Sequence, residues 1–179
     1  MIIQGNEILK AFAADPENGF RLLTRQAMRP LYWHIRRMVV SHHDAEDVLQ
    51  ETLLRAYRSI GGVRDGSTLA SWLYRIATNE ALRHLEQRSR VARALDTAPE
   101  EEAGRAMAEE YVDYSDLEAV KLRDAVLALP PRQQAVFNLR YFDELEYREI
   151  AEILQCSEPT AKANYHFAKE KVKKYITSL

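Results

Sequence analysis

The stretch Tyr147-Arg148-Glu149-Ile150-Ala151-Glu152-Ile153-Leu154-Gln155-Cys156-Ser157-Glu158-Pro159-Thr160-Ala161-Lys162 carries the most structural information in this chain. Ile150, Ile153 and Leu154 recur at helical steps, which predicts a short helix from about Glu146 to Leu154. Ala151 falls where that helix must be small to let a second one pack close. Gln155-Cys156-Ser157 is the only break. Ser157 is a natural cap for a further helix running from Glu158 to about Tyr175, and Pro159 is tolerable in its first turn, where amide hydrogens are unpaired anyway. Two helices joined by so short a turn form a helix-turn-helix, although Gln155 stands where the turn usually has glycine. The second helix presents Lys162, Asn164, Tyr165, His166 and Lys169, with cations for phosphates and an amide and rings for base edges. On these residues alone a plain helical hairpin fits as well.

Working outward, every structured stretch reads as helix. Ser115-Asp116-Leu117-Glu118 has capping-box spacing and opens a helix running to Leu129, stopped by Pro130-Pro131. Pro131 starts the next, with Val136, Phe137, Leu139 and Arg140. At the other end, Glu7 to Ala13 is a short helix ended by Asp15-Pro16. Phe20, Leu22, Leu23, Ala27, Leu31, Ile35 and Met38 then make an amphipathic face, adjusted at Pro30. Asp44 or Ser41 caps a helix striped by Val48, Leu49, Thr52, Leu53 and Ala56. After the loop from Ile60 to Gly66, Ser67 caps a long helix with Leu69, Trp72, Leu73, Ile76, Ala77 and Leu82 on its buried side. The fold class expected is all-α.

The 179 residues carry 25 Lys and Arg against 27 Asp and Glu, a net charge of −2 that taken whole argues against a nucleic-acid binder. The distribution says otherwise. Residues 1–95 are net +4, residues 96–118 net −8 and residues 119–179 net +2. The pattern predicts two small helical domains, an N-terminal bundle over 1–95 and a four-helix C-terminal domain over 115–179, joined by an acidic linker over 96–114. One cysteine excludes a disulfide framework. The N-terminus lacks a basic-then-apolar pattern and no apolar run suffices to span a bilayer, so a cytoplasmic, soluble protein without membrane insertion is expected.

Leu129-Pro130-Pro131-Arg132-Gln133-Gln134-Ala135-Val136-Phe137, followed by the helix-turn-helix above, resembles the C-terminal conserved region of bacterial sigma-70-family factors. Asp44-Ala45-Glu46-Asp47-Val48-Leu49-Gln50-Glu51-Thr52-Leu53-Leu54-Arg55-Ala56-Tyr57 is similar to that family's polymerase-docking helix. Ser71-Trp72-Leu73-Tyr74-Arg75-Ile76-Ala77-Thr78-Asn79-Glu80-Ala81-Leu82 resembles its helix for −10 recognition and strand opening. Only two regions, in this order and with a linker between, resemble the extracytoplasmic-function (ECF) subfamily. The resemblance implies an RNA polymerase sigma factor that is not an enzyme, with no catalytic residue, cofactor or metal of its own. Its implied partners are core RNA polymerase, promoter DNA in double- and single-stranded form, and an anti-sigma factor that holds the two domains closed. By the same analogy Ser157, Thr160, Lys162, Asn164, Tyr165, His166 and Lys169 read the −35 element. Arg64, Asp65, Ser67, Tyr74, Arg75, Asn79 and Arg83 serve the −10 element and melting, and Asp44, Glu46, Asp47, Gln50, Glu51 and Arg55 dock on polymerase. Arg83 departs from the acidic residue the family often has there.

These residues also have plainer uses. Asp44, Glu46, Asp47 and Glu51 complement the positive end of a helix dipole as well as forming a docking face. His42-His43-Asp44 invites a metal reading, as in a helical metal-dependent hydrolase, but consecutive side chains point about 100° apart on a helix and no other ligands cluster nearby. Trp72 lies on the apolar stripe and is expected in the core, with Tyr74, Arg75, Asn79, Arg83 and His84 facing outward. Arg88, Arg90 and Arg93 make a basic helix end that can also meet duplex phosphates. A helix-turn-helix regulator with an N-terminal sensor or dimerisation module is the alternative function. Redox sensing through Cys156 is a weaker one, because a lone thiol in a turn is more often packing. The acidic segment is expected to lie against a basic domain face when the protein is free.

Overall fold

The computed structural model describes residues 3–39, 41–94 and 117–178. Among them are eight helices and no strand: α1 (Gly5–Ala14), α2 (Pro16–Arg36), α3 (His42–Ser59), α4 (Leu69–Ala94), α5 (Leu117–Leu127), α6 (Pro131–Tyr141), α7 (Tyr147–Leu154) and α8 (Glu158–Thr177). The linker and the Ser115-Asp116 cap expected from sequence lie outside the described residues. No helix among those described is long and apolar enough to cross a membrane.

Local chemistry sets the boundaries. The Asp15 carboxylate accepts the Glu17 amide at 3.1 Å ahead of Pro16, which starts α2. Pro30 leaves α2 continuous over 21 residues. The one backbone bond that proline removes is outweighed by Leu23, Ala27, Leu31 and Ile35, all fully buried. Of the two cap candidates for α3, Ser41 is used, accepting the Asp44 amide at 3.0 Å. Ser67 does not cap α4. The loop instead forms two 3-10 turns, Ile60–Gly62 and Gly66–Thr68, and Asp65 caps the second by accepting the Ser67 amide at 2.9 Å. A carboxylate one residue upstream of the turn outcompetes a hydroxyl inside it. Glu146 and Glu149 form a reciprocal capping box at α7. Gln155 takes a left-handed conformation, φ +52°, in the position where glycine is usual. Ser157 caps α8 through the Thr160 amide at 3.2 Å.

Helices α1–α4 bury Ile8, Leu23, Leu31, Ile35, Leu69 and Leu73 in one core. In the second unit, α6 sends Phe137 towards α5 and α8, and Val136 and Leu139 towards α7 and the start of α8. The two units are packed against each other. Tyr74 of α4 and Leu154 of α7 belong to the apolar clusters of both, and Ala135 of α6 is buried with the first.

Candidate nucleic-acid interface

On α8 the buried stripe is Ala161, Ala168 and Val172, which turns Thr160, Lys162, His166 and Lys169 to solvent beside exposed Ser157. Asn164 is half-buried. Tyr165 departs from the outward position expected of it. Its ring lies 5.9 Å from Phe137 and 6.0 Å from Tyr147, and burial pushes its phenol up from the ordinary value. The spacing 161, 165, 168, 172 puts it on the packed stripe, a signal the sequence did contain. Lys162 is held over the helix start by Glu158, Nζ to Oε1 2.8 Å, and lies 5.7 Å above the Tyr147 ring. Phe167, 56% exposed, was missed although it falls off the apolar stripe and beside His166.

In the first unit Arg64, Asp65 and Ser67 are exposed on the loop before α4. Hydrogen bonds from the Ser67 side chain and amide hold the Asp65 carboxyl below its ordinary value. The loop is braced from behind by the start of α1. A Cβ at Gly66 would come within 2.6 Å of the Gly5 carbonyl carbon, so only glycine allows this approach. Asn79 and Arg83 face outward from α4. With Arg55, Arg58 and Trp72 they line a cleft of about 370 Å³ between α3 and α4. Trp72 thus packs partly on the core and partly lines the cleft. Tyr74 faces the opposite way from that expected. It lies between the two units with its ring 5.2 Å from His34, and burial pushes its phenol well up. Arg75 is half-buried and shares a groove with Glu152 and Ile153 of α7, so the second unit covers the start of α4.

On α3, Glu46, Asp47 and Gln50 are exposed, and Glu46 pairs with His42 at 3.1 Å. Glu51 and Arg55 pair with each other at 2.9 Å. Asp44 is not a free docking carboxylate. It bridges to Arg88 and, at 3.3 Å, to His84, both on α4. Leu54, 47% exposed, adds an apolar element to this face that the charge pattern hid. Arg90 and Arg93 of the basic helix end pair with Glu86 and with the Ser89 carbonyl. His42 Nδ1 lies 2.6 Å from the Tyr32 hydroxyl, and no cluster of three or more metal-ligating side chains occurs among the described residues.

A polar node between the units escaped sequence reasoning altogether. Asp143, 5% exposed, accepts from His34 Nδ1 and from the Arg37 guanidinium, each at 2.6 Å. His34 Nε2 is 2.9 Å from the Thr78 hydroxyl, which donates to the Tyr74 carbonyl at 2.7 Å. Gln134 and Asn138 of α6 donate to the Arg37 carbonyl at 3.1 and 3.2 Å, and the Arg37 guanidinium lies 4.7 Å over the Phe142 ring. Partners 97 to 109 residues apart leave no local pattern to read.

Comparison with known proteins matches this layout. The family description "Sigma-70 region 2" fits residues 23–91, and "Sigma-70, region 4" fits residues 119–172. The chain is 32% identical over 172 residues to the ECF RNA polymerase sigma-E factor of Haemophilus influenzae, covering 91% of this chain and 90% of that one. It is 29% identical over 184 residues to the RNA polymerase sigma-H factor of Pseudomonas aeruginosa, covering 98% and 95%. In fold it is similar to the sigma factor RpoE from Bartonella quintana, solved with the anti-sigma factor NepR, with a TM-score of 0.72 at 22% identity over 88% of this chain and 96% of that one. CnrH, solved with the cytosolic domain of CnrY, gives a TM-score of 0.69 at 16% identity over 98% of each chain. With both regions matched in order and relatives aligned along nearly their whole length, the chain belongs to the sigma-70 family of RNA polymerase sigma factors, in its ECF group.

Proposed function

We propose that α8 reads the −35 promoter element, that α3 docks on core RNA polymerase through Glu46, Asp47, Gln50 and Leu54, and that the Arg64–Ser67 loop with Asn79 and Arg83 engages the −10 element and the opened strand. The observation that carries this reading is the outer face of α8. Thr160, Lys162, His166 and Lys169 are exposed along the first part of a capped helix whose other side is fixed in a core. That is the mixture a groove-reading helix needs. Bond-making chemistry belongs to the polymerase, and the factor supplies recognition.

The packed arrangement of the two units is a resting state in this proposal. Two elements centred about 25 base pairs apart span roughly 85 Å of duplex at 3.4 Å per pair. A compact chain of this length has a radius of gyration of about 16 Å. The units must separate to read both elements, and α7 must leave the start of α4 for Arg75 to be reached. An anti-sigma partner that favours the packed arrangement would keep the factor silent. Run-off transcription with purified core polymerase on a genomic library tests the reading. Discrete products above the core-only background are expected, and their absence would refute it.

A further inference from the structure

Glu80 of α4 is a carboxylate almost wholly out of solvent, 6% exposed, yet its partners are surface cations assigned above to DNA and polymerase. Its Oε1 lies 2.9 Å from Arg55 Nε and accepts from Arg83 Nη2 at 3.1 Å, while Oε2 lies 3.0 Å from Arg83 Nη1. Arg83 thus holds it bidentately from one turn away. Arg55 Nε is also 2.9 Å from Glu51 Oε1 on the outer face of α3. A continuous chain of alternating charge, Glu51, Arg55, Glu80, Arg83, runs from the docking helix to the helix that carries Asn79.

A carboxylate buried between two guanidiniums contributes little net stability, because desolvation offsets most of the attraction. What it provides is orientation: bidentate charge-assisted bonds fix the planes of flexible side chains. Without Glu80, Arg55 would be held by Glu51 alone and Arg83 would be released to swing outward, away from Arg55 and Arg58 of the same cleft. With Glu80 in place two of these three arginines are fixed as cleft walls, and three positive charges less one negative leave the cleft at +2. A charge so reduced and so ordered suits discrimination between sequences more than indiscriminate capture of phosphate.

We propose that Glu80 is a positioning residue of the −10 site. It sets the guanidiniums of Arg55 and Arg83 in the cleft so that cleft shape selects DNA, and through Arg55 it ties the polymerase-docking helix to the DNA-reading helix. Glu80 itself touches no DNA. The inference rests on the reading of this cleft as DNA-facing.

The test uses full-length chain assembled with core polymerase and two fork-junction DNAs, one from a promoter recovered by run-off transcription and one with its −10 bases scrambled. Binding is followed by fluorescence anisotropy across a potassium chloride series. Glu80→Gln keeps shape and removes charge. Affinity for scrambled DNA should rise severalfold at low salt, and the slope of log K against log salt should steepen by about 1. The promoter-to-scrambled ratio should fall at least threefold. A purely structural role would weaken both DNAs together with the ratio unchanged, and that result overturns the proposal. Should Glu80→Gln fail to fold, exposed Arg83→Gln removes the positioned group without opening the buried site. It should lower the ratio, and an unchanged ratio overturns the proposal. If the double variant folds, adding Glu80→Gln should lower the ratio by less than Glu80→Gln does alone, because only Arg55 remains to be released, and a fully additive second loss overturns the proposal as well. If wild-type holoenzyme shows no preference for promoter DNA, the sigma reading fails, and the role of Glu80 with it.

Discussion

Replacing Asp143 with alanine removes the acceptor on which the two units converge. His34 is fully buried and loses the partner of its Nδ1 hydrogen, and Arg37 loses a bond of 2.6 Å. Truncating one member of a buried charged pair costs about 3–5 kcal/mol, most of it the penalty on the group left behind. Arg37 is 26% exposed and recovers part of its loss through water, which brings the expected cost to about 2–4 kcal/mol. At 1.4 kcal/mol per factor of ten, docking of the two units should weaken by roughly 30- to 700-fold. Contacts within each unit are untouched, so helicity should hold while the units part. Cys156 in the turn before α8 offers one dye site and exposed Gln87 on α4, changed to cysteine, offers the second. The inter-dye distance distribution should move to longer values in Asp143→Ala, with lower protection of the Thr78 region from hydrogen exchange. Superimposable distributions, with docking changed by less than about 0.5 kcal/mol in a low-urea titration, would refute the assignment of this node as the fastening between the units.

Other consequences are smaller in scale. Gly66→Ala forces a Cβ against the start of α1 and should destabilise the first unit by about 1–3 kcal/mol in urea unfolding; wild-type stability would show that the loop is not braced there. Gln155→Gly relieves a left-handed backbone and should stabilise the second unit by about 1 kcal/mol, read from its melting, without altering promoter preference. Lys162→Ala should weaken promoter binding by holoenzyme and reduce the salt slope by about 1, with core binding intact; loss of core binding instead would contradict the roles given to α8 and α3. Tyr74 has its phenol raised above the ordinary 10.0 by burial. A group raised in the folded state contributes stability fully present below about pH 10 and lost as pH climbs through the folded value. Melting temperature should therefore fall above pH 10 more steeply in wild type than in Tyr74→Phe, and parallel curves would place the phenol in water.

Much of this protein could be read from short-range pattern. Helix period, proline placement and capping residues locate the helices to within a few residues because each depends on neighbours in sequence. Ser157 caps α8 where expected, and the glutamine that stands in place of the usual turn glycine is accommodated by Gln155 adopting the left-handed conformation itself. The exposed cations of α8 follow from the same period. Tyr74 was misplaced because a tyrosine is at home on either side of a helix and only the neighbouring helices decide which, whereas Tyr165 falls on the period of the buried stripe and was legible from spacing. Asp44 was counted with the surface carboxylates because its partners, His84 and Arg88, lie some forty residues away. The same holds for Glu80, which reads as an ordinary helix-surface glutamate until α3 brings Arg55 against it. Local sequence therefore sufficed for the described helices and for caps such as Ser157, whose energetics involve residues three or four apart, though not for Ser67, which Asp65 displaces. The pairing of the two units through Asp143, the covering of Arg75 by α7 and the burial of Glu80 arise where chain segments distant in sequence meet. There desolvation and partner geometry, neither of them properties of any single stretch, set what each charge does.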